Sequence, residues 1–187
     1  MDFQDIYEEF QPKIHRYLCR LVGLNEAEDL AQDVFAKVSQ ALPEFRGSSS
    51  VSTWIYRIAT NSAVDRLRSL SAQRRAEVPL EDESRATDAL PNAEHGLFRK
   101  EMRACLDQHI AKLPASYRTV FILSEEQGLT NPEIADALGI SLPTVKIRLH
   151  RARRRLQLDL GRRCHFSRDA RNELVCEPKS PPVSTDR

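Results

Sequence analysis

The stretch from Pro114 to Arg163 constrains the fold more than any other part of the chain, because its helix starts and stops are legible residue by residue. Pro114 suits the opening of a helix and Gly128 its end. Thr130 followed by Glu133 has the spacing of a capping box, in which hydroxyl and carboxylate each satisfy an otherwise orphaned amide at a helix start. Gly139 suits the left-handed residue that closes that short helix, and Ser141 caps the next one, with Pro143 in its first turn. A short helix, a tight glycine turn and a longer helix make a helix-turn-helix.

At 100° per residue, Val145, Leu149, Ala152 and Leu156 of the second helix fall on one apolar stripe, which must face a core. Thr144, Arg148, Arg151 and Arg155 share an adjacent face. A hydroxyl beside a guanidinium cluster near a helix start is what major-groove and phosphate contact requires, whereas the plain alternative is a solvated arginine face. Lys146 and Ile147 complete the candidate set for reading DNA. Arg153 and Arg154 point elsewhere, towards phosphate or solvent.

The rest of the chain reads as helical too. With 41% hydrophobic residues and only six glycines in 187, and with Leu, Ala, Glu and Arg at helical spacing, the expected fold class is all-α, in two small helical domains joined by a flexible linker. Apolar residues recur at helical spacing from Phe3 to about Leu70, with breaks at Gly23-Leu24-Asn25 and at Pro43 to Ser50, so residues 1–70 should hold about three helices. Residues 71–96 lose the period and carry Pro79, Pro91 and Glu81-Asp82-Glu83, which is linker composition. Residues 97–163 form the second helical unit, and the tail, 164–187, is expected to be largely unstructured.

A formal net charge of +1 excludes a uniformly basic coat, but the charges are segregated: Asp2, Asp5, Glu8, Glu9, Glu26, Glu28, Asp29 and Asp33 against an arginine-rich 148–163. On the helix around 27–40, Leu30, Ala31, Val34, Phe35 and Val38 share an apolar face while Glu28, Asp29, Gln32 and Asp33 line the other. On the next helix Arg57, Asn61, Val64 and Arg68 form a mostly polar stripe that suits DNA, with Ile55, Ile58, Ala59 and Ser62 facing inward. Trp54 beside that face reads as core before base-stacking wedge.

These motifs together resemble a known family. Leu113-Pro114-Ala115-Ser116-Tyr117-Arg118, Glu133-Ile134-Ala135-Asp136-Ala137-Leu138-Gly139-Ile140 and Thr144-Val145-Lys146-Ile147-Arg148-Leu149-His150-Arg151-Ala152-Arg153 resemble region 4 of the extracytoplasmic-function sigma factors of bacterial RNA polymerase. Upstream, Ala27-Glu28-Asp29-Leu30-Ala31-Gln32-Asp33-Val34-Phe35 and Trp54-Ile55-Tyr56-Arg57-Ile58-Ala59-Thr60-Asn61, with Asp65 and Arg68, resemble region 2, in the same order. Val51 stands where the family often has an aromatic residue and Ile147 where it often has serine.

The resemblance implies a promoter-specificity factor. Region 4 would read the -35 element through the Thr144 to Arg155 face. Region 2 would contact the -10 element through Arg57, Asn61 and Arg68, with Ser48, Ser49 and Ser50 of the preceding loop beside an unstacked base. Asp29, Gln32 and Asp33 would dock on core RNA polymerase. An anti-sigma factor is the further partner to expect, and strand-separated promoter DNA would be held open by binding energy alone.

Two rival classes exist. A helix-turn-helix regulator acting without polymerase would explain 130–155 but not the two upstream helices. An enzyme would need chemistry that His15, His95, His109, His150 and His165 do not supply, since they sit in no triad or HExxH arrangement. No cofactor and no metal are expected: Cys164-His165 with Cys176 is only a partial ligand pattern, and four scattered cysteines read as thiols of a reducing compartment. With neither a membrane-length apolar run nor a basic, apolar leader at the start, the expected location is the cytoplasm.

Overall fold

A computed structural model describes residues 2–76, 97–168 and 174–178. Seven α-helices and one two-stranded hairpin follow in order among them: α1 (Phe3–Val22), α2 (Leu24–Ala41), a 3-10 turn (Leu42–Glu44), α3 (Val51–Ala76), α4 (Leu97–Ala111), α5 (Ala115–Glu125), α6 (Asn131–Leu138), α7 (Leu142–Arg163), β1 (Cys164–Arg168) and β2 (Leu174–Pro178). No helix among the described residues is long and apolar enough to cross a membrane.

Local chemistry sets the helix ends. Asp2 and Asp5 form a reciprocal capping box at the start of α1, and Gly23, at φ 91°, takes the positive φ that lets the chain turn directly into α2. Ser50 caps α3: its hydroxyl accepts the Thr53 amide at 3.1 Å. The capping box at Thr130 and Glu133 is present, Gly139 adopts the left-handed conformation at φ 62°, and Ser141 caps α7 with Pro143 in its first turn.

The three N-terminal helices bury Ile6, Ile14, Tyr17, Leu18, Leu30, Ala31, Val34, Phe35, Val38, Ile55 and Ala59 against one another. Tyr17 and Tyr56 meet edge to face, with ring centroids 5.3 Å apart. Trp54 is half buried and stacks on Phe45 at 4.8 Å, as a core residue would. The α7 stripe Val145, Leu149, Ala152 and Leu156 is buried as its spacing requires. Two differences from the sequence expectation stand out. The helix of the first unit runs past Leu70 to Ala76, because Ser-Leu-Ser-Ala-Gln-Arg-Arg-Ala carries no breaker and needs no core face to stay helical; the rest of the expected linker, 77–96, lies outside the described residues. The tail begins with an antiparallel hairpin, in which Phe166 pairs with Cys176 and Cys164 with Pro178. Five-residue strands are too short for their period to register in the sequence, and pairing supplies what the period does not.

The two helical units touch. Buried residues of α1, α2 and α3 and of α5, α6 and α7 join in one apolar cluster, while Leu113, Ala152 and Leu156 form a second, smaller one. Around it lies a polar clamp. Arg20 reaches Asp107 at 2.5 Å and Glu126 at 3.3 Å, Arg118 donates to the Leu21 carbonyl at 3.3 Å, and the Tyr56 hydroxyl donates to Gln127 at 2.5 Å. Burial pushes the Glu126 carboxyl above the usual carboxylate range although Arg20 pulls it down. The Nε atoms of Arg20 and Arg118 are buried without a partner among the described residues, so the clamp carries a desolvation penalty that partly offsets its bonds.

Candidate nucleic-acid interface

Helix α7 is held by its apolar stripe and shows its opposite faces to solvent. Lys146, Arg151 and Arg155 are exposed, Thr144 and Arg148 are half buried, and Ile147 is 51% exposed. An isoleucine that open on a cationic surface has no packing reason to be there, and contact with a thymine methyl is one use for it. The Thr144 hydroxyl shares a 2.7 Å hydrogen bond with the capping Ser141, which fixes its direction.

Tyr117 of α5 touches two of the α7 arginines, a contact that the spacing of α7 does not reveal. Its hydroxyl accepts from Arg151 at 3.4 Å, and the Arg155 guanidinium lies 5.4 Å from its ring centroid. The Arg151 hydrogen bond holds the phenol below the usual tyrosine range, with the charges of Arg155 and Arg148 acting the same way. The ring therefore orders two of the arginines proposed to meet DNA. Arg153, expected at phosphate or solvent, is 57% exposed and also pairs with Glu125 at 2.5 Å; a carboxylate one helix away in space is invisible to a helical wheel. Arg154 is exposed as expected.

The second face is built on α3 and its preceding loop. Ser48 is exposed and Ser49 half buried, whereas the Ser50 hydroxyl is occupied by its capping bonds to Thr53. Arg68 is exposed and 3.8 Å from Asp65. Arg57 is not free: its Nε and Nη2 donate to the Asp136 carbonyl at 3.1 and 2.8 Å, and Nη2 also pairs with the Asp136 carboxylate. Asn61 lines the same cleft, opposite Ala135 to Ile140 of α6 and its turn. The first half of the α3 stripe, Arg57 and Asn61, thus borders α6 of the helix-turn-helix.

On α2 the apolar residues Leu30, Ala31, Val34, Phe35 and Val38 are buried. Asp29, Gln32 and Asp33 are exposed together on the other side, a continuous polar and acidic patch remote from the α7 arginines.

This arrangement of an acidic helix, a polar helix and a basic recognition helix has known counterparts. Residues 6–73 match the family described as Sigma-70 region 2, and residues 103–156 match Sigma-70, region 4. The ECF RNA polymerase sigma factor SigW of Bacillus subtilis (strain 168) is 34% identical over 169 residues, which cover 84% of this chain and 88% of the relative. The chain belongs to the ECF RNA polymerase sigma factors. RNA polymerase sigma factor SigZ of the same organism is 31% identical over 94% of this chain and 96% of its own length. In fold the chain is similar to the sigma factor RpoE solved in complex with the anti-sigma factor NepR from Bartonella quintana, at a TM-score of 0.73 and 24% identity over 86% of this chain and 97% of that one. It is also similar to CnrH, solved in complex with the cytosolic domain of CnrY, at a TM-score of 0.60 and 21% identity over 86% and 88%.

As an ECF sigma factor the protein directs core RNA polymerase to promoters, and its regions 2 and 4 recognise promoter DNA. The alternative left open by the helix-turn-helix alone, a regulator that needs no polymerase, is not favoured, because residues 6–73, spanning all but the ends of α1 to α3, match region 2.

Proposed function

We propose that residues 1–70, with α3 running on to Ala76, form the polymerase-docking and -10-binding unit, and that 97–163 form the -35-binding unit, joined through 71–96. Thr144, Lys146, Ile147, Arg148, Arg151 and Arg155 read or hold the -35 element; Ser48, Ser49, Ser50, Arg57, Asn61 and Arg68 serve the -10 element; Asp29, Gln32 and Asp33 dock on core polymerase. The observation that carries this reading is the division of α7 into a fully buried apolar stripe and an outward cationic face. A helix that only completed a core would have no use for that many arginines aimed at water.

Phosphate contacts position the units, base contacts select the promoter, and the binding energy keeps the strands apart. Catalysis stays with the polymerase, so the chain is no enzyme, and it works where the polymerase is, in the cytoplasm. For the Arg57 guanidinium to meet DNA, its bonds to Asp136 of α6 must give way, a separation that exposed Asn61 does not need. An anti-sigma factor, the kind of partner with which RpoE was solved, would act by preventing that separation.

The test is core-polymerase binding and run-off transcription by the Asp29→Lys, Asp33→Lys double variant. Both side chains are outside the core, so helicity should be unchanged while core affinity falls at least about tenfold, as expected for reversed charge at a complementary interface. Unaltered affinity would remove the docking assignment.

A further inference from the structure

A cluster of soft ligands lies where α4 meets the end of α7. Cys105 and His109 stand one turn apart on α4, and Cys164 is the residue that terminates α7. Their two sulfurs and an imidazole nitrogen all lie within 4.8 Å of one another. His109 is only 6% exposed and Cys164 4%; Cys105 is half buried. The linear grouping of Cys164 with His165 is not what the fold assembles, since His165 is exposed.

The orientation of His109 is the second observation. Its Nδ1 is 2.5 Å from an Asp159 carboxylate oxygen. Asp159 is itself held by Arg163 at 3.2 Å. A carboxylate on Nδ1 selects the tautomer with its proton there and leaves the Nε2 lone pair as the donor, the arrangement that usually backs a metal-bound histidine.

We propose that Cys105, His109 and Cys164 form a zinc site that clips α4 to the far end of the recognition helix and to the root of the hairpin. Two thiolates and an imidazole suit zinc, which needs no redox change and takes tetrahedral N and S ligands. With zinc–sulfur bonds of about 2.3 Å, tetrahedral ligand atoms stand roughly 3.7 Å apart, so side-chain rotations closing about 1 Å complete the site, and water takes the fourth position. On binding, the Cys105 and Cys164 thiols each lose a proton to the buffer and form a sulfur–zinc bond, while His109 binds through Nε2 without losing one. Zinc then bridges residues far apart in sequence, and the helix-turn-helix bundle becomes metal-stabilised. This inference does not depend on the promoter contacts proposed above.

The test uses the full-length reduced chain, stripped with a chelator and reloaded with Zn(II) or with Co(II) as a spectroscopic probe. The expected result is one zinc per chain that survives dialysis, a higher melting temperature with zinc than without, and the thiolate-to-cobalt charge-transfer and tetrahedral d–d bands. Cys105→Ser and Cys164→Ser should each abolish the bands, and Cys19→Ser should keep them. Asp159→Asn should retain the band shape but bind about 10–100-fold more weakly, because it acts through His109. Should burial make Cys164→Ser fold poorly, Cys105→Ser, with the less buried side chain, still decides. The proposal is overturned if the wild type holds no stoichiometric zinc and gives no bands, if the bands persist in Cys105→Ser, or if the two thiols join in a disulfide under reducing conditions that also exclude metal.

Discussion

Helices α3 and α7 both present a polar stripe suited to DNA, yet they meet the rest of the chain in opposite ways. The cationic face of α7 is turned outward and pre-ordered by Tyr117 beneath Arg151 and Arg155. On α3, by contrast, Arg57 is held by Asp136 and Asn61 shares a cleft with the end of α6, while Asn61 and Arg68 stay exposed. One stripe is open along its length, whereas the other has its first arginine engaged by the neighbouring unit of the same chain. Around the shared apolar cluster, the polar clamp leaves the Arg20 and Arg118 Nε atoms buried without a partner among the described residues, which weakens its share of the contact. On the proposed assignment, Arg57 would exchange its bonds to Asp136 for DNA on the -10 side.

The largest effect should come from the core that holds α3 in place, whatever covers it. Tyr17 is fully buried, stacks on Tyr56 and shares a 2.7 Å hydrogen bond with Thr60. Tyr17→Ala should cost about 3–5 kcal/mol in urea unfolding, and a loss under about 1 kcal/mol would mean that α3 is anchored otherwise.

On the open face, Arg148→Ala should cost about 1–3 kcal/mol and relax preference at one -35 position, whereas Arg154→Ala should weaken all sequences alike and lower the salt slope by about one. Binding to a -35 library at two salt concentrations separates the two. If Arg148→Ala is merely weaker throughout, its role is phosphate contact, and Thr144 or Arg151 does the reading.

The α3 face should respond more gently. Arg57 and Asp136 are 41% and 47% exposed, so breaking their pair with Asp136→Ala should shift the balance towards the separated form by at most about 1 kcal/mol, some fivefold. A fluorescent pair on α3 and α6 should move apart, and capture of single-stranded -10 DNA should rise. An unchanged distance would show that the apolar cluster, not the ion pair, holds the units together.

The smallest effect concerns the start of α6, which covers Arg57. Hydrogen bonds from the Thr130 hydroxyl and amide keep the Glu133 carboxylate below the usual glutamate range. A lowered folded pKa adds stability at pH values above the ordinary glutamate range, and that stability is lost as pH falls through the folded value. Unfolding midpoints should accordingly drop on acidification by slightly more for the wild type than for Glu133→Gln; identical pH profiles would show that the capping box contributes nothing measurable.

What the sequence by itself determined is everything whose cause lies within about one helical turn. The Thr130–Glu133 box, the Gly139 turn, the Ser141 cap, the buried α7 stripe and the buried face of α2 each depend on residues three or four apart, and the amino-acid order states those spacings directly. The two sigma regions were legible by a different route, the resemblance of whole motifs to a known family. Only the tertiary structure decided that Arg57 meets Asp136 across 79 residues, that Arg153 meets Glu125 across 28, that His109 meets Asp159 across 50, and that a tail poor in period pairs into a hairpin. Such contacts come from the docking of finished surfaces. Their energy is spread over many weak interactions, with no fixed spacing along the chain to betray which two residues will meet.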